Sequence, residues 1–370
     1  MKDATIPRHP AGRQALDSLQ VLRGFAAIAV AFYHAQIILA QPEYFNTVLF
    51  HGIATKGWLG VNFFFVLSGF IICYAHFSDI GRPDRWKRYA WRRFSRVYPV
   101  YWVYLTAYIA AAAIGIGHPD FSWNPLDMLA AYSLLLVKPA PSLPLQPAWT
   151  LIYEVNFYIL FSILILNRRL GMAVAALWCG AVLLNSILLG HTALGPLHAW
   201  NLYFLAGCLV FLAYRRMEGK PGLPWLAAGL ALFALELALG IVDDHLGTAD
   251  KRPLVLVALA FPFALIMLGT ILLERRGTRL SSRLLMLLGN ASYSIYLVHS
   301  PALSVLAGIA RRFPAAHAHP YLLYALLILL SVLAGVMAHM IVERPLVELA
   351  RKLSARRDAR RTDMVAKAEL

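Results

Sequence analysis

The stretch LQVLRGFAAIAVAFYHAQIILA, from Leu19 to Ala40, decides the fold class of this chain. It has the length of a transmembrane helix, which needs about 20 mostly apolar residues. It nevertheless contains Arg23 and His34, and ionisable side chains inside a membrane span are costly and by default functional. At about 100° per residue both side chains share one helix face, roughly 16 Å apart along the axis. A lone histidine in such a helix is more often a packing residue, so its role depends on the rest of the sequence.

The composition places the whole chain in a membrane. Of its 370 residues, 60% are hydrophobic and only 14% are charged, and the mean hydropathy is +0.62. Such values are typical of polytopic membrane proteins. We predict an all-α bundle of about ten transmembrane helices, with a shorter interfacial or re-entrant segment at 126–137. The predicted spans are 19–40, 57–77, 97–117, 149–167, 172–190, 197–214, 223–241, 253–273, 286–309 and 321–342.

The positive charge follows the predicted topology. If the N-terminus is cytoplasmic, the inner segments hold 27 Lys and Arg residues and the outer loops hold 6. This bias is the positive-inside signature, so we predict that both termini face the cytoplasm. The net charge of +15 then needs no nucleic-acid partner. The predicted organisation is a cytoplasmic segment 1–18, a transmembrane domain 19–346 and a basic cytoplasmic tail 347–370.

A carboxylate lies in the fourth predicted span. The first span runs outward and the fourth runs inward. His34 therefore lies ~10 Å below the outer end of the first span and Glu154 ~8 Å below the outer end of the fourth, so the two side chains are at similar depths. A carboxylate beside an imidazole orients the ring and raises its basicity, as general-base catalysis requires. We therefore predict a His34–Glu154 pair. The alternative is that Glu154 neutralises Arg23 or binds a neighbouring tyrosine.

Further polar groups predict a polar cavity inside the bundle. Asn62 lies near the outer end of the second span. In the ninth span, Ser292, Tyr296 and His299 follow i, i+4, i+7 spacing and share a face, and Tyr293 lies beside them. His299 is a second candidate for proton transfer or substrate binding. Structural hydrogen bonding between helices would explain these groups equally well.

A basic segment precedes the third span. It contains Arg93 and Arg96, one helical turn apart at the predicted inner end of the helix. Two guanidinium groups so placed suit a polyphosphate such as that of coenzyme A. Basic pairs at inner helix ends are common, so the spacing alone is a weak signal.

Other reaction classes lack their motifs. The chain contains no G-x-S-x-G, H-E-x-x-H or Walker A pattern, which argues against a serine hydrolase, a metalloprotease or an ATP-driven pump. The three cysteines lie in apolar stretches without metal-ligand spacing, and the loop pair His317 and His319 lacks further ligands. We therefore predict no metal site and no permanently bound cofactor.

Several motifs occur in a distinctive order. They are Arg23 followed after ten residues by His34, GVNFFFVLSGF (60–70), RRFSRVYP (92–99), WTLIYEVNFY (149–158), LGNASYSIYLVHSP (288–301) and VERP (342–345). Together they resemble the membrane-bound acyltransferase family 3, whose members O-acylate carbohydrates and other hydroxyl compounds. The resemblance runs from about Leu16 to Leu346. The opening LQVLRGFAAIAV looks closest to the exopolysaccharide-acetylating branch.

The resemblance implies roles for individual residues. The family's arginine–ten residues–histidine motif falls on Arg23 and His34, and its acyl-CoA-associated R-x-x-R motif falls on Arg93 and Arg96. Its W-S/T-L-x-x-E pattern places Glu154 among the catalytic residues. Many members carry Asp where this chain has Asn62, so an acidic role is in doubt there. The residues expected at the substrate cavity are Asn62, Trp149, Ser292, Tyr293, Tyr296 and His299.

The resulting expectation is an O-acyltransferase of the bacterial inner membrane. It would transfer an acyl group, acetyl in the first instance, from acyl-CoA to a hydroxyl of a carbohydrate or lipid-linked glycan, such as an exopolysaccharide or lipopolysaccharide. His34, oriented by Glu154, would be the general base or a transient acyl carrier. Arg23 would hold the donor or stabilise an oxyanion. The alternatives are a transporter of a glycan or lipid-linked intermediate and a scaffold without chemistry.

Overall fold

The protein is a bundle of α-helices. The computed structural model describes residues 16–116, 121–137, 141–186, 195–243, 253–279 and 282–355. These residues form thirteen α-helices joined by loops and 3-10 turns, which confirms the all-α prediction for this part of the chain. The helices are α1 (Asp17–Ala40), α2 (Leu59–His76), α3 (Trp86–Ala113), α4 (Pro125–Ser133), α5 (Trp149–Leu166), α6 (Arg168–Leu184), α7 (Asn201–Arg216), α8 (Leu223–Ala238), α9 (Pro253–Arg275), α10 (Arg283–Asn290), α11 (Ser292–Ala310), α12 (Pro314–Ala318) and α13 (Pro320–Ala338).

Six helical segments among the described residues are long and apolar enough to cross a membrane, as judged by length and composition. They are Asp17–Ala40, Ile53–Asp79, Gln146–Leu166, Val257–Arg275, Ser292–Ala310 and Pro320–Ala355. Each of the ten predicted spans coincides with a helix, but the remaining four are shorter or more polar. The chain is therefore an integral membrane protein. The count of ten spans and the cytoplasmic orientation of both termini remain predictions.

Two predicted segments fall largely outside the described part of the chain. Of the N-terminal segment 1–18 only the last three residues are described, and the predicted tail 347–370 is described as far as Ala355. The predicted interfacial segment 126–137 overlaps the short helix α4. This helix begins at Pro125, and the side chain of Asn124 caps it by accepting a hydrogen bond from the backbone N–H of Leu126.

Helix α1 contacts several other α-helices that belong to the bundle. It packs against α2, α10, α11 and α13. Gly24 of α1 and Gly289 of α10 allow a close approach of these two helices, since a Cβ on Gly289 would lie 2.2 Å from the carbonyl oxygen of Gln20. Small residues permit such contact between membrane helices. Arg23 and His34 of this helix are only partly exposed, whereas Phe25 and Phe32 are exposed.

The C-terminal helix changes geometry near its end. Helix α13 continues through a π-helical turn, His339–Glu343, and regular helix then extends to Ala355. Single π-turns inside α-helices frequently occur at functional sites. This turn directs Glu343 into the bundle, where its side chain is only 1% exposed.

Candidate active site

A polar cavity of about 120 Å³ lies inside the bundle, between α1, α2, α3, α5 and α11. One side of its wall is apolar and includes Phe64, Phe65 and Ile72. The other side is unusually polar for the interior of a membrane protein, where ionisable groups are expensive. The polar side chains that line it are Arg23, Ser68, Arg93, Arg96, Thr150, Glu154, Tyr158, Ser292, Tyr293 and Tyr296.

The cavity lining carries a positive charge. Three guanidinium groups, those of Arg23, Arg93 and Arg96, line it together with one carboxylate, Glu154. Arg23 comes from α1 and donates a hydrogen bond to the side chain of Gln20, with Nη1 3.0 Å from Oε1. The cavity thus brings together cations that the sequence placed in separate motifs. Such a lining suits an anionic ligand.

The two arginines of α3 differ in their partners. Arg96 donates from Nη1 to Oε1 of Glu343 at 2.9 Å and lies over the ring of Tyr293, 5.6 Å from its centroid. Arg93 lies over the ring of Tyr158 at 5.8 Å, and its Nε is buried without a hydrogen-bond partner. No ion pair of Arg93 is found among the described residues. Arg93 therefore retains the greater unused capacity to bind a ligand.

The predicted contact between His34 and Glu154 is not formed. Glu154 accepts hydrogen bonds from the hydroxyl of Tyr158 and from Ser68, whose Oγ lies 3.2 Å from Oε1. The alternative of a tyrosine partner is thus the one observed. Two residues at similar depth in the membrane can still point in different directions around their helix axes. The side chain of Glu154 points into the cavity, which His34 does not line.

His34 instead pairs with a second histidine. Its Nδ1 lies 3.1 Å from Nε2 of His299 and 3.0 Å from the carbonyl oxygen of Val30. The two rings meet edge to face with centroids 4.8 Å apart. His299 is fully buried, whereas His34 is half-buried. The pair joins α1 to α11 and lies next to Tyr296, which lines the cavity and is 5.9 Å from His299 between ring centroids.

The residues predicted for the substrate cavity divide into two groups. Ser292, Tyr293 and Tyr296 line the cavity with Arg23 and Glu154. The hydroxyl of Ser292 is buried there without a hydrogen-bond partner. The i, i+4, i+7 pattern thus identified the correct face of α11. His299 lies on that face but beyond the cavity, since seven residues advance a helix by about 10 Å.

Asn62 and Trp149 lie elsewhere. Asn62 is buried and donates from Nδ2 to the hydroxyl of Tyr203 at 2.9 Å. Trp149 packs on Trp200 of α7, with centroids 4.5 Å apart. Trp149 precedes Glu154 by five residues, a rotation of about 140° around the helix, so the two side chains face different neighbours. Neither residue lines the cavity.

Glu343 was missed as a site residue. It accepts hydrogen bonds from Arg96 at 2.9 Å and from Oγ of Ser294 at 2.7 Å, and Nδ1 of His339 lies 2.9 Å away. The signal was present in the VERP motif, where a carboxylate follows an apolar span directly. Its partner could not be deduced, because Arg96 lies 247 residues away in the sequence.

The described residues contain no group of three or more His, Cys, Asp or Glu side chains suited to a metal ion. The site is composed of arginines, one carboxylate, hydroxyls and an imidazole pair. These groups can bind an anion, hold a polar substrate and move a proton.

Comparison with known proteins agrees with this chemistry. The family model of the acyltransferase domain matches residues 16–340. The chain is 31% identical over 319 residues to the exopolysaccharide production protein ExoZ of Rhizobium meliloti, in an alignment that covers 80% of this chain and 92% of that protein. It is 27% identical over 391 residues to the acyltransferase MdmB of Streptomyces mycarofaciens, with 90% and 92% covered. No solved structure matches the chain.

The family match extends over nearly the whole helical bundle and includes every motif up to the end of α13. The resemblance inferred from those motifs is therefore confirmed. The chain is an integral membrane enzyme that belongs to the acyltransferase 3 family.

Proposed function

We propose that this acyltransferase transfers a short acyl group, acetyl in the first instance, from acyl-CoA to a hydroxyl of an exported or cell-surface carbohydrate. The observation that carries the proposal is the meeting of Arg23, Arg93 and Arg96 in one cavity with Glu154. The alternative is a transporter of a glycan or lipid-linked intermediate without acyl-transfer chemistry, and a neutral glycan would not need three guanidinium groups in one small cavity. The name of the relative ExoZ, an exopolysaccharide production protein, supports a carbohydrate acceptor.

The arginines would bind the donor. Guanidinium groups bind phosphate oxygens with two parallel hydrogen bonds, and coenzyme A carries several phosphates. Arg93 is the principal candidate because its Nε has no partner, while Arg96 is held by Glu343. Arg23 lines the same cavity as these two residues, which supports a donor-holding role for it. The charge bias predicts that this side of α3 faces the cytoplasm, where acyl-CoA is found.

The cavity volume supports a short acyl group. A cavity of about 150 Å³ can hold a benzene molecule. The cavity that Arg93 lines has a volume of about 120 Å³, which is room for an acetyl thioester. The apolar side chains of Phe64, Phe65 and Ile72 would contact the acyl methyl group.

His34 would supply the base. His34 does not line the cavity, so in the proposed step the acceptor hydroxyl lies between Nε2 of His34 and the thioester held in the cavity. Nε2 removes the proton of this hydroxyl while the hydroxyl oxygen attacks the thioester carbonyl carbon. The carbon–sulfur bond then breaks, and the departing CoA sulfur takes the proton from His34. The products are an O-acyl ester and free CoA, and His34 returns to its neutral form. Transient acylation of His34 is the alternative route to the same products.

Glu154 would act within the cavity rather than on His34. It is the only carboxylate that lines the described cavity, so it offsets part of the arginine charge. It also holds the hydroxyls of Ser68 and Tyr158 in fixed orientations. The enzyme is proposed to work in the bacterial inner membrane, where a cytoplasmic donor and an exported acceptor can reach opposite sides of one bundle.

The test uses purified wild-type protein and radiolabelled acetyl-CoA, with CoA release and label transfer to an envelope-polysaccharide fraction as the readouts. His34→Ala should lower kcat by about 10²-fold or more, because general-base catalysis contributes 10²–10⁴-fold. Arg93→Ala should weaken donor binding roughly 10-fold, the loss of one charged hydrogen bond of about 1.5 kcal/mol. Arg168→Ala, at the exposed start of α6, is the matched control. Folded wild-type protein that neither binds acetyl-CoA nor releases CoA would contradict the proposal, and glycan export would then be measured.

A further inference from the structure

The pairing of His34 with His299 determines which nitrogen of each ring carries a proton. A neutral imidazole has one N–H donor and one lone-pair acceptor. Nδ1 of His299 lies 3.1 Å from the carbonyl oxygen of Ile295, which can only accept. The proton of neutral His299 therefore lies on Nδ1, and its Nε2 presents a lone pair towards His34.

The same reasoning assigns His34. Its Nδ1 faces two acceptors, the carbonyl oxygen of Val30 at 3.0 Å and the lone pair on Nε2 of His299 at 3.1 Å. The proton of His34 must therefore lie on Nδ1, and its Nε2 carries the lone pair. Nε2 of His34 has no hydrogen-bond partner within the described part of the chain, and the ring is only half-buried. The lone pair on Nε2 is thus not engaged by another group of the described residues.

We propose that His299 is a positioning residue that, together with the carbonyl oxygen of Val30, holds His34 in the tautomer with the proton on Nδ1 and so makes Nε2 the base. This inference rests on the proposed function, in which His34 accepts the proton of the acceptor hydroxyl. When Nε2 takes that proton, His34 becomes an imidazolium ion with two N–H donors. The lone pair of His299 then accepts the stronger, charge-assisted hydrogen bond from Nδ1. When the CoA sulfur takes the proton from Nε2, both rings are neutral again.

His299 occupies the position that a carboxylate holds in many hydrolases, where its loss leaves the catalytic histidine in the wrong tautomer. Here the ring is fully buried between α1 and α11. A carboxylate at such a position would need a cation to offset its burial. A neutral histidine supplies an acceptor without that requirement. If His299 were also protonated when His34 is an imidazolium ion, two cations would lie within 3.1 Å of each other, so His299 serves as an acceptor and not as a second base.

The experiment compares three substitutions of His299. The amide of Gln reaches the position of the imidazole Nε2, so His299→Gln keeps an acceptor for His34. The shorter amide of His299→Asn does not reach it, and His299→Leu has no acceptor. We expect kcat to fall about 10²-fold in the Asn and Leu variants, the lower end of a general-base contribution. The Gln variant should stay within about 10-fold of wild type, and KM for acetyl-CoA should stay within about 2-fold in all three.

The controls separate the possible outcomes. Tyr324→Phe removes a buried hydrogen bond to the carbonyl of Phe32 on α1 without touching His34, and it should leave kcat unchanged.

If His34→Ala abolishes turnover but His299→Leu does not, the positioning role is wrong while the proposed function stands. A rise in KM for acetyl-CoA in all three His299 variants, with kcat retained, would assign His299 to substrate binding instead. If Gln and Asn variants are equally impaired although both are folded, the acceptor role is wrong. Absence of turnover in wild type, with His34→Ala no different, would overturn the proposed function itself.

Discussion

At the residue scale, a pair of arginines one turn apart on α3 illustrates how neighbours in sequence acquire different roles. Arg96 is committed to Glu343, a carboxylate that is only 1% exposed. Arg93 stacks on Tyr158 and leaves its Nε free. The R-x-x-R motif therefore combines an arginine that is part of the structure with one that is available to a ligand. Experiments that replace both together would mix loss of stability with loss of binding.

Substitution of these two arginines should affect stability unequally. Arg96→Ala leaves Glu343 buried without its cation, which we expect to cost about 2–3 kcal/mol. This is less than the 3–5 kcal/mol of a fully buried pair, because Ser294 and His339 still bind the carboxylate. Arg93→Ala should cost about 1 kcal/mol or less. Thermal unfolding in detergent measures both. The double variant Arg96→Ala/Glu343→Gln should recover part of the loss, and an additive loss would contradict the argument.

Glu154→Gln tests the charge of the cavity. The substitution keeps an acceptor for Ser68 and Tyr158 but removes the only carboxylate from the described lining. We expect acetyl-CoA to bind about 2–5-fold more tightly, a gain of the size of one partly exposed ion-pair interaction. Isothermal titration calorimetry measures the change in Kd. Weaker binding would mean that the carboxylate itself contacts the donor.

At the scale of helices, close contacts between small residues determine how the bundle assembles. Helices α2 and α7 meet at Gly69 and Gly207. A Cβ on Gly69 would lie 2.0 Å from the carbonyl oxygen of Phe204, and one on Gly207 would lie 2.0 Å from that of Val66. Neither position accepts a side chain without separating the helices. This contact fixes α2, which supplies Phe64, Phe65 and Ser68 to the cavity.

A glycine-to-alanine pair tests this contact. Gly69→Ala should destabilise the protein by about 1–3 kcal/mol through overpacking against the backbone of α7. Gly308→Ala on α11 is the matched control, since its Cβ would meet nothing within 4 Å. It should be neutral or stabilising by up to about 1 kcal/mol, because alanine favours helix over glycine. Unfolding temperatures in detergent give the comparison, and equal effects of the two substitutions would contradict the packing argument.

The π-helical turn is a second feature of this scale. It comprises His339–Glu343 and supplies two side chains of one cluster, since His339 binds the carboxylate of Glu343. A π-turn inserts an extra residue into the helix and so rotates the next residues around the helix axis. The turn thereby directs Glu343 towards α3 and α11, where Arg96 and Ser294 bind it. The apolar composition of the tenth predicted span does not by itself predict a π-helical turn.

At the scale of the whole molecule, the charge bias predicts an orientation that the proposed function requires. The segment before α3 should face the cytoplasm, and the loop between α11 and α13 should face the outside. Lys87 in the first turn of α3 and His317 in α12, between α11 and α13, are exposed. If the orientation were reversed, Arg93 would face away from the compartment that contains acyl-CoA.

Cysteine labelling tests this orientation. In a background without the native cysteines Cys73, Cys179 and Cys208, we expect a membrane-impermeant maleimide to label His317→Cys in intact spheroplasts. Lys87→Cys should be labelled only after the membrane is permeabilised. The opposite pattern would reverse the predicted topology and, with it, the proposed donor side.

The sequence by itself determined the fold class, the membrane location and the family. These follow from local features: apolar runs of bilayer length, the helical face shared by Arg23 and His34, and motifs such as VERP that keep their order along the chain. The face of α11 that lines the cavity was likewise predictable, because i, i+4, i+7 spacing reports directly on one helix.

Only the tertiary structure decided which polar groups meet. Depth in the membrane suggested a pair of His34 with Glu154, yet the rotation of α5 directs Glu154 to Ser68 and Tyr158 instead. The partner of His34 is His299, 265 residues later. Periodicity describes the faces of a single helix, whereas contacts between helices depend on their rotation, offset and crossing, which the packing of the whole bundle sets.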